Sequence, residues 1–338
     1  MINKNMNLNG KKRNEPFFLK PAAKDYLWGG RRLNDDFCKG IDLEPLAETW
    51  ECSTHPDGPS TVADGKFKGI SLTEILRIHP EYMGTHPEKG EGLPILVKLI
   101  DAREALSVQV HPDDAYAKKY ENGQSGKTEM WYVLDAAPRA SLIYGLCHDT
   151  EKEVLKKSIK NGSVEKFLQK VEVKKDDIFF IEAGTIHAIG AGVLIAEIQE
   201  NSNLTYRLYD YDRTDKNGKK RELHIEKALA VADLKGDTEP RQPMRVLKYR
   251  QGCAMELLCR CRYFEVYRML INTERCRELV KYHADGSSFH VLLCIGGCGS
   301  MVWDKKLVNF FKGDCIFVPA DSVEIQIHGR AELLDIRG

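Results

Sequence analysis

Four side chains of metal-binding type stand in strand-like runs of this sequence. Gln109 and His111 lie in "LSVQVHPDDAYA", Glu129 in "GKTEMWYVL" and His187 in "AGTIHAIG". Strand side chains alternate between faces, so Ser107, Gln109 and His111 share one face and Leu106, Val108 and Val110 the other. Two imidazoles and a carboxylate leave a coordination position open, as in a catalytic rather than a structural zinc site. A glutamine oxygen is a weaker addition. Cations are interleaved with these groups. Lys98 sits inside the apolar run "PILVKLI", where an unpaired ammonium would be costly. Lys127 shares a face with Glu129. In "NLTYRLYDYDR", Asn203, Thr205, Arg207 and Tyr209 share a face, and Arg213 follows in the next turn. Lys and Arg hold phosphates or a developing oxyanion. Glu197, in "LIAEIQ", is a spare carboxylate for proton transfer. Together these groups suit chemistry on an anionic, hydroxylated substrate.

The elements that must position them read as short strands. From Leu93 to Arg213, "PILVKLI", "SVQVH", "TEMWYVLDA", "ASLIYGL", "DIFFIEA", "TIHAIGAGVLIAEIQ" and "NLTYRLYDYD" are separated by Gly, Asn, Asp and Pro. That spacing predicts an antiparallel barrel or sandwich. Helical inserts are expected over about 71–90, 113–122 and 150–171, and a further helix over 224–234. Ser71 and Gly84 supply start and stop signals for the first. "GAG" and "GGCGS" read as hairpin turns. The Gly-, Pro- and charge-rich "KGDTEPRQP" (235–243) reads as a linker. It divides a catalytic part, 1–240, from a smaller β-barrel, 241–338. "KGDCIFVPADSVEIQIHG" in the second part parallels "KDDIFFIEAGTIHAIGAG" in the first, without the histidine.

Composition narrows the classes. With 50 basic and 50 acidic side chains in 338 residues the formal charge is zero, which argues against a general nucleic-acid or anionic-membrane binder. No apolar run approaches the length that spans a bilayer. The start, "MINKNMNLNGKKRNEP", lacks the apolar core of a signal peptide, so a cytoplasmic protein is expected. The ten cysteines, including Cys259 and Cys261 on one strand face, then read as reduced, small apolar residues.

The segments "WGGRRL", "AETWECS", "LPILVKLIDAREALSVQVHPDDAYA", "GKTEMWYVLDA", "EAGTIHAIGAGVLIAEIQENSNLTYRLYDYDR" and "RELHIEKAL" resemble, in order, those of the type I mannose-6-phosphate isomerases, in their short bacterial form. The resemblance implies a mostly β fold of cupin-type (jelly-roll) barrels with small helical inserts. It implies one zinc per chain on Gln109, His111, Glu129 and His187. It puts the active-site arginine on Arg207, substrate-pocket positions on Lys98, Ser107, Lys127 and Arg213, and a catalytic carboxylate on Glu197. The reaction implied interconverts mannose 6-phosphate and fructose 6-phosphate through a cis-enediol. Asn203 stands where the longer members carry an aspartate, and Ile189 where they carry a tyrosine. The partner expected is a small phosphosugar, with no nucleic acid and no membrane, for a monomer or weak dimer. Two rivals stay open at this point: a cupin that binds a sugar phosphate without catalysis, and an iron dioxygenase on the same barrel.

Overall fold

The computed structural model describes residues 13–87, 92–214, 218–236, 239–240, 246–276 and 278–338. Part of the predicted linker lies outside them. The fold is mostly antiparallel β, and the part before the expected linker is built around a sandwich of two sheets. One has six strands, in the order Ile178–Ile181, Glu129–Ala136, Val193–Glu200, Ile95–Ala102, Glu48–Cys52, Ala22–Lys24. The other has five, in the order Tyr206–Tyr209, Val108–Val110, His187–Ile189, Ser141–Leu146, Leu168–Glu172.

Period-two alternation sorts the central strands of this sandwich. In Ile95–Ala102, Ile95, Val97 and Leu99 point out of the sandwich into an apolar core shared with Phe289, Phe317 and Ile336 of the C-terminal part. Ile100 and Ala102 point inward, and Lys98 is on their side. All eight residues are buried, because one face meets the other sheet and the opposite face meets the C-terminal part. The same split runs through Val193–Glu200 and Glu129–Ala136. Leu194, Ala196, Met130 and Tyr132 face outward, while Ile195, Trp131 and Val133 face inward beside Glu197 and Glu129. The five-stranded sheet turns Val108, Val110, Ala188, Tyr206 and Leu208 outward, under Leu155 and Ile159 of the helix Lys152–Lys160 and Ala228 and Leu229 of the helix Ile225–Val231. With both outer faces covered, the polar inward positions Ser107, Gln109, His111, Lys127, Glu129 and Glu197 meet between the sheets.

Several expectations change. The insert at 71–84 is a short helix, Leu72–Ile78, capped by Ser71 Oγ on Glu74 N, and then a separate 3₁₀ turn from Pro80. The insert expected over 150–171 ends as helix at Lys160, where Asn161 and Gly162, at φ +73°, stop it. Leu168–Glu172 is an edge strand that buries Leu168 and Val171. "GGCGS" is not a hairpin turn. It lies inside one long strand, His290–Trp303, which bulges between Cys294 and Gly296. Gly297 adopts φ +71°, and a Cβ there would fall 2.1 Å from Arg330 O. The sheets also ignore the division at 240. Phe17–Lys20 pairs with Cys315–Val318, so the N-terminal strand extends the C-terminal sheet.

Candidate active site

His111, Glu129 and His187 are all buried, and one ligand atom from each falls within 4.8 Å of the others. Glu129 Oε1 lies 3.2 Å from His187 Nε2 and 3.9 Å from His111 Nε2. Gln109 is the register partner of His187 across the ladder. Its amide lies 3.3 Å from His187 Nε2, and an amide can present either oxygen or nitrogen there. Each imidazole is oriented from behind. His111 Nδ1 bonds Leu204 O at 2.7 Å and His187 Nδ1 bonds Thr185 O at 2.8 Å. A carbonyl only accepts, so each Nδ1 carries the proton and each Nε2 offers its lone pair inward.

That inward side is unsatisfied. His111 Nε2 and both carboxylate oxygens of Glu129 are buried without a hydrogen-bond partner among the described residues. Leaving one such atom unpaired costs about 1–3 kcal/mol, more for a charged group. Three converging on one point fit a cation. The charge states agree. Burial, then the Lys127 ammonium, pushes the His111 imidazolium pKa well below its ordinary value. Burial opposes ionisation of Glu129, but Lys127 and the two imidazoles outweigh it and hold the carboxyl pKa well down. Neutral imidazole and ionised carboxylate are the forms that bind metal.

The cluster borders a cavity of about 310 Å³ between the two sheets. Ser107, Gln109, Lys98, Lys127, Glu197, Asn203, Thr205 and Arg207 line it, as do Tyr26, Trp28, Glu48 and Arg221. Glu197 pairs in register with Lys98 on one side and Trp131 on the other. Its Oε1 takes Lys98 Nζ at 3.0 Å and its Oε2 takes Trp131 Nε1 at 3.0 Å. Burial alone would strip the Lys98 proton, but Glu197 and Glu48 raise its pKa above the ordinary value. Lys98 therefore stays an ammonium, 5.2 Å above the Trp50 ring. Arg207 Nε donates to Ser107 Oγ at 3.1 Å.

The chain that carries this site has relatives among known proteins. A model of the type I phosphomannose isomerase catalytic domain matches residues 17–138. The mannose-6-phosphate isomerase ManA of Bacillus subtilis is 38% identical over 324 residues, covering 95% of this chain and 98% of that protein. The mannose-6-phosphate isomerase of Streptococcus mutans is 36% identical over 322 residues, covering 95% and 97%. The crystal structure of a Bacillus subtilis mannose 6-phosphate isomerase superposes with a TM-score of 0.87 at 37% identity, over 96% of this chain and 99% of that one. The chain belongs to the type I mannose-6-phosphate isomerases. The cupin-type fold expected from the sequence is the fold of this family.

Within this family member, the positions singled out from sequence gather at one place, with two exceptions. Arg213 is absent from the cavity wall: its Nη1 donates to Ala105 O at 2.6 Å and its Nη2 to Asp210 Oδ1 at 2.5 Å. Tyr209 leaves the face it was expected to share with Arg207, because the ladder slips between those residues, and its hydroxyl reaches Glu165. Glu48, Tyr26, Trp28 and Arg221 were not anticipated. Glu48 had a signal: "ETWEC" alternates Glu48 with Trp50, and Trp50 is the register partner of Lys98. Arg221, in a run of charges, had none.

Proposed function

We propose that this chain is a zinc-dependent aldose–ketose isomerase that interconverts mannose 6-phosphate and fructose 6-phosphate through a cis-enediol. The observation that carries the reading is the set of orphaned ligand atoms on His111 and Glu129, facing His187 and Gln109, at the end of a cavity lined by cations. The donor set, two imidazoles and a carboxylate with an amide beside them, fits one zinc with a position left for substrate. Zinc held there supplies Lewis-acid polarisation of sugar oxygens and steadies charge on the enediolate.

The chain's own groups do the rest. Lys98, locked as an ammonium, donates to substrate oxygen. Lys127 does the same from its place beside Glu129, 3.3 Å away. Arg207 stabilises the developing oxyanion, steadied by Ser107. Glu197, fixed between Lys98 and Trp131, moves the proton between carbon 1 and carbon 2. Trp28, Ile100 and Leu106 line the cavity and limit water around the enediol. Asn203, exposed at the rim and bonded to Asp57 Oδ2 at 2.7 Å, borders the entrance. Ten free cysteines support the cytoplasmic setting. No helix among the described residues is long and apolar enough to cross a membrane.

The test is isomerisation of mannose 6-phosphate by the purified protein, before chelation, after it and after zinc is returned. Activity should vanish and come back. Stoichiometric zinc without turnover would leave a sugar-phosphate binder instead. Restoration by iron with oxygen uptake would mark a dioxygenase.

A further inference from the structure

The cavity's cations differ in what they already hold. Each ammonium has a carboxylate: Lys127 has Glu129, and Lys98 has Glu197. The guanidinium of Arg207, on the strand paired with Gln109, meets only neutral acceptors among the described residues, Ser107 Oγ and Glu222 O, the latter at 2.9 Å. Arg221 stands on the same wall. It forks onto Asp210, Nε to Oδ2 at 2.8 Å and Nη2 to Oδ1 at 2.6 Å, which leaves Nη1 without a hydrogen bond among the described residues. Asp210 is buried and also holds Arg213. Two guanidiniums, Arg213 and Arg221, thus share one carboxylate, and Arg207 beside them has no carboxylate bonded among the described residues, so positive charge is in excess there. Arg207 feels it: burial, and then Arg221 and Arg213, pull its pKa below the ordinary value.

Gathering like charges around a partly buried wall is unfavourable unless an anion joins them. A sugar phosphate carries close to two negative charges near neutral pH, with several acceptor oxygens. A guanidinium whose other edge is already fixed presents its remaining N–H groups with little entropy left to lose. We propose that Arg221 recognises the substrate phosphate together with Arg207, and that Asp210, buttressed by Arg213, positions Arg221 to do so. The backbone supports this placement. Glu222 O binds Arg207 Nη1, and His224 is bonded to the Arg207 main chain in both directions, by its ring to Arg207 N and from its own N to Arg207 O. The segment carrying Arg221 is thereby pinned to the strand carrying Arg207. The inference rests on the phosphosugar reading above, and it gives Arg221 a direct contact where the resemblance implied a substrate-pocket role for Arg213.

Zinc-loaded wild type, Arg221→Ala, Arg221→Lys and Arg213→Ala should be compared in two assays: turnover of mannose 6-phosphate, and calorimetric binding of inorganic phosphate. Losing one charge-assisted contact should raise KM and weaken phosphate binding about ten- to hundredfold in Arg221→Ala. kcat should move only a few-fold, and zinc content should not change. Arg221→Lys should recover part of the loss, as a point charge does for a fork. Arg213→Ala should show a smaller shift in the same sense. A folded, zinc-loaded Arg221→Ala with wild-type KM and wild-type phosphate binding would overturn the inference and leave the isomerase reading intact. An inactive wild type would overturn that reading, and the phosphate titration would still judge Arg221.

Discussion

Two segments of this chain, one in each half, follow the same local plan and end in opposite chemical states. Residues 175–192 and 312–329 each run from a charged turn into an apolar strand, Ile178–Ile181 or Cys315–Val318, and on through a second turn. At the next position the first carries buried His187 and the second exposed Glu324. The second barrel does bury a polar group. Tyr282, His290 and Asp335 lie in its interior with Arg337 beside them. There, the phenol, imidazole and carboxylate that face one another are bonded to one another. Tyr282 donates its hydroxyl to Asp335 Oδ1 at 2.9 Å and accepts from His290 Nδ1 at 2.5 Å, and Arg337 Nη2 reaches Asp335 Oδ2 at 2.7 Å. Between the two sheets of the first half, His111 Nε2 and both Glu129 oxygens face one another without a hydrogen bond among the described residues. The contrast teaches that burial of polar groups does not by itself mark a site. What marks it is the direction in which hydrogen bonding stops.

That contrast breaks most visibly at the proposed metal ligands. Glu129→Gln and His187→Ala should lose zinc and reduce turnover by about a thousandfold or more, since the metal's Lewis-acid role is worth several kcal/mol. Metal analysis alongside the assay checks this. His290→Ala, which removes another buried imidazole, should retain zinc and turnover and lower only the unfolding midpoint. Should His290→Ala also abolish zinc binding, the distinction between orphaned and satisfied clusters fails.

A smaller effect sharpens the inner wall of the first barrel. Two carboxylates face the cavity, and they differ in what they already hold. Glu197 has both oxygens bonded. Glu48 gives Oε2 to Trp50 Nε1 at 2.8 Å, with Lys98 3.9 Å away, and its Oε1 has no hydrogen bond among the described residues. If Glu197 moves the proton, Glu197→Gln should cost about a hundredfold or more in kcat, and Glu48→Gln should cost far less. Exchange of the carbon-2 proton with solvent reads the step directly. The reverse order of effects would transfer the role to Glu48.

What could be read from the sequence follows from what is costly to bury. Lys98 and Glu197 stand out in apolar strands because each needs a partner there, and each turns out to be the other's. Gln109, His111, Glu129 and His187 stand out because strand period two aims them at one interior. The unread parts depend on distance along the chain or on local geometry that residue types do not encode. The pairing of Phe17–Lys20 with Cys315–Val318 is a contact between the two ends of the chain. The slip between Arg207 and Tyr209 re-aims a tyrosine that strict alternation had placed beside the arginine. Gly296 and Gly297 serve a bulge as readily as a turn. Arg221 sits among charges that read as solvated until the fold brings them to Asp210.

The smallest effect on catalysis, and a clear one on stability, belongs to Asp335. Burial pushes its carboxyl pKa up, but His290 and Arg337 outweigh that and bring it down to about 2, from an ordinary 3.8. A carboxyl held lower in the folded state than in the unfolded chain stabilises the fold above the unfolded value. The contribution then fades as pH falls from about 4 towards 2. A shift of this size corresponds to about 2 kcal/mol. Asp335→Asn should therefore unfold more easily than wild type near neutral pH by roughly that amount, and turnover per folded molecule should be unchanged. Denaturant midpoints measured from pH 7 down to pH 3 should show the gap between the two proteins narrowing over the last pH unit. A gap that stays constant across the range would mean that Asp335 contributes packing rather than charge. The second barrel would then be held by shape, and its likeness to the first would end at the backbone.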